Sequence, residues 1–172
     1  RAHPTRPLRQ DEVVRAPTPA DTALVRGGIA HRVHRYEHDP GVASYAKEAA
    51  EALGVQPEQV LKTLVTSVGG DLVVAVVPST AEVDLKALAA AMGAKSAEMA
   101  SPGTAERATG YVVGGISPIG QKRRLPTIVD ASASQWDSVF VSGGRRGLEL
   151  ELSVPDLVEV TGARLAAIAR PH

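Results

Sequence analysis

Two β-branched runs separated by a glycine pair constrain this chain more than any other feature. Residues 59–68 read Q-V-L-K-T-L-V-T-S-V, residues 71–78 read D-L-V-V-A-V-V-P, and Gly69-Gly70 lies between them. Adjacent glycines supply positive backbone angles at no steric cost, so the runs predict an antiparallel hairpin. Neither run alternates cleanly between apolar and polar residues. Both faces are therefore expected to be covered, and the first run reads as a central strand. Lys62 sits inside it, with Val60, Leu64 and Val68 on its side and Leu61, Thr63 and Val65 on the other. An ammonium in that setting loses hydration unless a partner or ligand replaces it, which makes Lys62 a candidate site. A lysine near a strand end can also pack its stem and send its head to water.

The 172 residues are enough for one domain with a sizeable core. Nineteen basic and nineteen acidic residues balance, so no global field favours nucleic acid, and a polyanion has to be met by a local patch. Without cysteine there is no disulfide framework, thiolate nucleophile or cysteine-ligated zinc. The apolar runs are strand-length, short of the roughly 20 residues of a membrane span, and the polar, proline-bearing start is not a signal peptide. The expectation is a soluble, cytoplasmic protein. The first residue is Arg1, and residues 1–24, with four prolines and little periodicity, read as an extended N-terminal arm. Residues 25–172 then form the single domain.

Within it, residues 29–37 alternate weakly and predict a first strand. Residues 44–53 predict a helix capped by Ser44 and stopped by Gly54, and residues 84–92 a second one capped by Asp84. Ser101-Pro102 starts a third helix that Gly110 ends, and Ser153, with Asp156 three residues on, starts a last one. Residues 127–130, 138–142 and 148–152 read as further strands. Hairpins and helices mix without regular β-α-β alternation. The class is therefore α+β, with a mixed, largely antiparallel curled sheet, an incomplete barrel, flanked by short helices. No G-x-G-x-x-G opens a helix and no Walker lysine motif is present.

Two glycine loops carry further chemistry. In Gly114-Gly115-Ile116-Ser117-Pro118-Ile119-Gly120 the glycines permit a backbone that turns successive N–H groups toward an oxyanion or phosphate, although a tight connection between strands reads the same way. Lys122, Arg123 and Arg124 follow, and donor loop plus cations together favour a phosphate-bearing ligand. In Ser142-Gly143-Gly144-Arg145-Arg146-Gly147-Leu148-Glu149 the arginines suit phosphate, and Glu149 can pair with an arginine or a ligand amine. Two other signals are discounted. On a strand His31 and His34 point to opposite faces, so with His38 they make no metal site. Ser117 lies outside a G-x-S-x-G elbow and has no obvious histidine base.

Taken in order, V-L-K-T-L at 60–64, G-G-I-S-P-I-G at 114–120 and S-G-G-R-R-G-L-E at 142–149 resemble the YbaK family of aminoacyl-tRNA editing deacylases, which includes the editing domain inserted in bacterial prolyl-tRNA synthetase. The resemblance runs from about residue 24 to the C-terminus and implies a YbaK-like fold. It implies trans-editing: hydrolysis of mischarged aminoacyl-tRNA, above all Cys-tRNA(Pro), with Ala-tRNA(Pro) or an inactive tRNA- or synthetase-binding module as alternatives. Prolyl-tRNA synthetase is the implied protein partner, and no metal or other cofactor is called for. Lys62 takes the position of the family's key lysine, and Gly114, Gly115 and Ile116 that of its carbonyl-holding loop. Tyr36, Tyr45, Thr63, Ser117, Pro118, Ser142 and Glu149 map to the substrate pocket. Glu149 stands where the family often has aspartate, and Tyr45 where other members have phenylalanine. Lys122, Arg123, Arg124, Arg145 and Arg146 are candidate tRNA contacts. The nucleophile is expected to be water, a ribose hydroxyl or the substrate's own thiol.

Overall fold

The computed structural model describes residues 18–39, 41 and 45–171, the side chains of Tyr45 and Ala46 excepted. Ser44, the expected helix cap, and residues 1–17 of the expected arm lie outside the described residues.

The glycine-linked runs form the predicted hairpin. β2 (Leu61–Val68) and β3 (Asp71–Pro78) pair antiparallel in unbroken register from Leu61↔Pro78 to Val68↔Asp71. Gly69 and Gly70 both have positive φ, at 58° and 91°. The hairpin is the middle of a five-stranded sheet in the order β5-β2-β3-β6-β9, completed by β5 (Ala97–Met99), β6 (Thr127–Asp130) and β9 (Arg164–Ala166). β6 lies parallel to both β3 and β9. A second sheet, all antiparallel, holds β1 (Arg32–Arg35), β8 (Leu148–Leu152) and β7 (Val139–Ser142) in that order, and β4 (Ala81–Val83) pairs with β10 (Ala169–Pro171). The architecture is α+β with mixed, largely antiparallel sheets that do not close into a barrel.

Capping chemistry sets the helices. α3 (Leu85–Ala91) starts where Asp84 Oδ1 accepts from the Ala87 amide at 3.0 Å, and α4 (Pro102–Thr109) where Ser101 Oγ accepts from Thr104 N at 3.2 Å. α5 (Val154–Thr161) uses Ser153 in the same way. α2 (Tyr45–Leu53) packs Ala49 and Ala50 on Val60 and Phe140.

The expected arm is overturned at its last residues. Residues 19–26 form α1 (Pro19–Arg26), capped by Thr18, with Ala20 and Leu24 wholly buried one helical turn apart. Asp21 is buried too, and its Oδ1 lies 2.8 Å from His31 Nε2, which pins α1 to the approach of β1. The proline-rich composition hid a helix whose first position suits proline, because that amide has no intrahelical partner. The strands β4, β5, β9 and β10 were also unforeseen, each being three residues long and too short for a period to show.

Two apolar layers flank β2 and β3. Leu61, Val74 and Val76 face the main core with Ile119, Val141 and Leu150, while Val68, Val73, Ala75 and Val77 face Leu88 of α3 and Ile168. The central placement of the first run is thus observed. Among the described residues no helix is long and apolar enough to cross a membrane.

Candidate active site

β2 is bordered by β3 along its length, but its other edge is divided. β5 pairs with Thr66, Ser67 and Val68 only. At the opposite end Val60 forms a parallel bridge with Phe140 of β7, joining the two larger sheets. Between these contacts no further pairing is made, and the edge of residues 61–64 has no strand partner among the described residues. Lys62 and Thr63 lie on that unpaired edge. Because the bridge is parallel, Lys62 and Ser142, each two residues beyond it, come next along the two strands and on the same face as Val60 and Phe140.

Lys62 lies between two apolar clusters on its face of β2. Val60 packs with α2, whereas Leu64 and Val68 pack with α3. Half-burial pushes the Lys62 pKa down from its ordinary value, and the charge of Glu82 acts in the opposite direction.

Strand pairing adds the next residues. Ser142 is opposite Glu149, and Glu149 is opposite His34, so the three form a row across the second sheet. Tyr36 continues the edge of β1, its amide donating to Gly147 O at 3.0 Å. Glu149 is buried, and desolvation pushes its carboxyl up to about 8. The Tyr36 hydroxyl is pushed up to about 12 by burial and then by the charge of Glu149. Three buried side-chain atoms lack a hydrogen-bond partner among the described residues: Thr63 Oγ1, Glu149 Oε2 and Trp136 Nε1. Two of them belong to residues that the sequence assigns to the pocket. Leaving such an atom unsatisfied costs about 1–3 kcal/mol.

The two glycine loops are packed against one another. A Cβ on Gly115 would stand 2.8 Å from Arg145 Cα and 3.1 Å from Arg146 N, so only glycine lets these backbones approach. Arg146 Nη2 donates to Val113 O at 3.2 Å, and Gly144 fits against the Tyr111 ring. Tyr111 in turn donates its hydroxyl to Ile119 O at 2.7 Å, closing the loop on itself.

Within this loop several expected roles change. The Gly115 amide donates to Val112 O at 2.8 Å, which commits it to a turn. The hydroxyl of Ser117, wholly buried, accepts from Ile119 N at 3.2 Å, and Pro118 is buried beside it. Gly115, Ser117 and Pro118 therefore hold the loop's path, leaving the amides of Gly114 and Ile116 as its candidates for an oxyanion. No nucleophilic role falls to Ser117.

The basic run is redistributed as well. The amides of Lys122 and Arg123 donate to Thr109 O and Ala108 O at the end of α4. Arg123 and Arg124 line a cleft of about 410 Å³ with Val68, Leu72 and Met92, beside the Gly69-Gly70 turn. That is the far end of β2, about 20 Å from Lys62 at 3.3 Å per residue. Arg145 and Arg146 stand beside the donor loop. Tyr45 belongs to the first turn of α2, and its side chain lies outside the described residues.

Sequence reasoning missed α1 as part of this apparatus. A Cβ on Gly120 would stand 2.5 Å from Pro19 O, and one on Gly144 would stand 3.3 Å from Thr18 Cβ, so the start of α1 backs both loops. The signal was present as Thr18-Pro19, a cap followed by a first-turn proline. The histidines serve three separate carboxylates, His31 with Asp21, His34 with Glu151 and His38 with Glu48, and no group able to hold a metal occurs among the described residues.

Residues 39–160 match the model of the aminoacyl-tRNA editing domain. The chain belongs to that family. Its activity is accordingly the hydrolysis of aminoacyl-tRNA. A relative from Enterococcus faecalis, provisionally named a Cys-tRNA(Pro)/Cys-tRNA(Cys) deacylase, EbsC, is 42% identical over 125 residues, covering 72% of this editing domain's chain and 76% of its own. An uncharacterised Bacillus subtilis protein, YwhH, is 30% identical over 120 residues, 69% of this chain and 76% of its own. Among solved structures, one described as a candidate trans-editing enzyme for prolyl-tRNA synthetase superposes with a TM-score of 0.78 at 24% identity, over 95% of this chain and 99% of the other. A hypothetical protein reaches 0.80 at 25% identity, over 89% and 100%. These likenesses establish the fold as that of editing domains.

Proposed function

We propose that this editing domain acts in trans on Cys-tRNA(Pro), removing cysteine from the terminal ribose in the cytoplasm. What supports the reading is the edge of β2 left unpaired at Lys62 and Thr63 beyond the Val60–Phe140 bridge, with Ser142 next along β7, Glu149 opposite it, and the two glycine loops packed on one another. The 42% identity to the relative named for Cys-tRNA substrates supports the choice of amino acid.

The substrate carries an α-ammonium, which a charged lysine would repel. Lys62 is therefore assigned to the terminal phosphate or a ribose oxygen, where it orients the ester and offsets developing charge. The Gly114 and Ile116 amides face the carbonyl oxygen as it becomes an oxyanion. Thr63, Ser142 and Tyr36 supply polar contacts, and Glu149, largely protonated at neutral pH, is able to donate as well as accept. Addition to the carbonyl gives a tetrahedral oxyanion, whose collapse expels the ribose oxygen, which takes up a proton. The nucleophile is water or the cysteine thiol. In the second route sulfur closes a ring, which water then opens to release free cysteine.

The test is a deacylation panel of Cys-tRNA(Pro), Ala-tRNA(Pro), Ser-tRNA and Cys-tRNA(Cys), run with wild type and Lys62→Ala and repeated with prolyl-tRNA synthetase present. Cysteine should be removed fastest, with Lys62→Ala losing most of the rate. Removal of serine as fast as cysteine would exclude the thiol route, and a wild-type rate for Lys62→Ala would exclude the role given to that residue.

A further inference from the structure

Val112 and Val113 are 69% and 41% exposed, two large apolar side chains side by side in water immediately before Gly114. Their main chain is fixed from two directions. The Val113 amide donates to Glu106 Oε2 at 2.8 Å, and the Val113 carbonyl accepts from Arg146 Nη2 at 3.2 Å. The Val112 carbonyl is also engaged, by the Gly115 amide at 2.8 Å. Two valines are thus presented to solvent by a backbone that α4 and the β7–β8 turn both grip. Folding leaves apolar area wet here and holds it in place.

The neighbours of this surface say what covers it. Arg145 and Arg146 are exposed, and the backbone of their turn is packed on Gly115, so apolar platform, cationic turn and amide loop form one continuous rim. An apolar face next to a guanidinium pair complements a nucleoside phosphate, whose base is flat and poorly hydrated on its faces and whose phosphate is anionic. An isolated apolar partner would not need the arginines, and a free phosphate would not need the valines.

We propose that Val112 and Val113 are the platform for the terminal adenine of the substrate, with Arg145 and Arg146 taking its phosphate and Lys62 accordingly a ribose oxygen, so that the nucleoside end is read at the rim while the aminoacyl end lies along the unpaired edge at Lys62. The assignment rests on the deacylase reading, and it adds a specificity subsite to it. Burial of the valine methyls under a base contributes through apolar area removed from water, and the rigid backbone keeps the ordering cost of binding small.

The test has a binding arm and a kinetic arm. In the first, adenosine 5′-monophosphate and ribose 5-phosphate are titrated against the protein with methyl-labelled valine observed by NMR. Adenosine 5′-monophosphate should shift the Val112 and Val113 methyls and bind at least five-fold more tightly than ribose 5-phosphate. Val112→Ser/Val113→Ser should reduce that preference to near unity. Silence of both methyls, or equal affinity for the two phosphates, would overturn the platform. In the second arm, kcat/KM for Cys-tRNA(Pro) is divided by kcat/KM for cysteine ethyl ester, which has no nucleoside. The double serine variant should lower this ratio about ten-fold through KM for the tRNA, and an equal loss on both substrates would instead assign the valines to loop shape and overturn the proposal. If the wild type cleaves neither ester while adenosine 5′-monophosphate still shifts the two methyls, the deacylase reading fails and the platform stands.

Discussion

Glu149 has a chemistry far from that of its free state. It is 6% exposed and its carboxyl is pushed up to about 8 from an ordinary 4.5, with burial as the cause. Between those two values the folded chain binds a proton that the unfolded chain has released. Stability therefore falls as pH rises through that window and levels off above it. Each unit of separation corresponds to about 1.4 kcal/mol at most. Glu149→Gln removes the titrating group, so its stability relative to wild type should improve between pH 5 and pH 8.5, as measured by denaturant unfolding at both pH values; parallel curves would show that Glu149 titrates normally. Lys62 differs in kind. Its pKa is lowered, again by burial, but it remains half-exposed on the unpaired edge of β2. Lys62→Ala should lose at least ~10²-fold in kcat/KM, consistent with removal of a positioned charge near the reacting ester, while its thermal midpoint stays within about 3 °C of wild type.

At the level of elements, the candidate site is shaped by how two loops fit against one another. Gly115 has no positive φ, so its requirement is for space against the Arg145–Arg146 backbone. Gly115→Ala places a methyl carbon 2.8 Å from a main-chain atom that cannot swing away, and the loops must separate. The expected cost is about 1–3 kcal/mol in stability, with a larger loss of deacylation than that destabilisation would produce. Parallel unfolding and single-turnover measurements separate the two, and a variant with wild-type turnover would show that the loop contact is dispensable. The start of α1 contributes from behind, through Pro19 against Gly120 and Thr18 against Gly144. A segment read as an arm is thereby part of the site's support.

For the whole molecule, zero formal net charge leaves no global field to draw RNA in, and the fold puts its two candidate arginine pairs in different places. Arg145 and Arg146 stand at the rim, whereas Arg123 and Arg124 line the cleft at the opposite end of β2. Charge reversal of Arg123 and Arg124 should weaken tRNA affinity several-fold at low salt, less at high salt, and lower the slope of log affinity against log salt by about 1–2. Single-turnover kcat should change far less than KM, because these side chains are remote from the ester. Identical salt slopes for variant and wild type would remove the cleft from the tRNA path.

The hairpin, four of the five described helices, three of them with their caps, and the two glycine loops were legible because each is written in consecutive residues: a two-glycine turn, a capping side chain three positions from its amide, a glycine where φ must be positive. Lys62 stood out for a similar local reason, as a cation in an apolar run. The short outer strands and α1 were not legible, since three residues show no period and a proline-rich stretch resembles an arm until its buried face is known. Partnership was decided in three dimensions. The single bridge that joins β2 to β7, the placing of Arg123 and Arg124 beside the far end of β2 and the packing of one glycine loop on the other all follow from contacts between residues distant along the chain, and a local pattern carries no record of which distant surface will cover it.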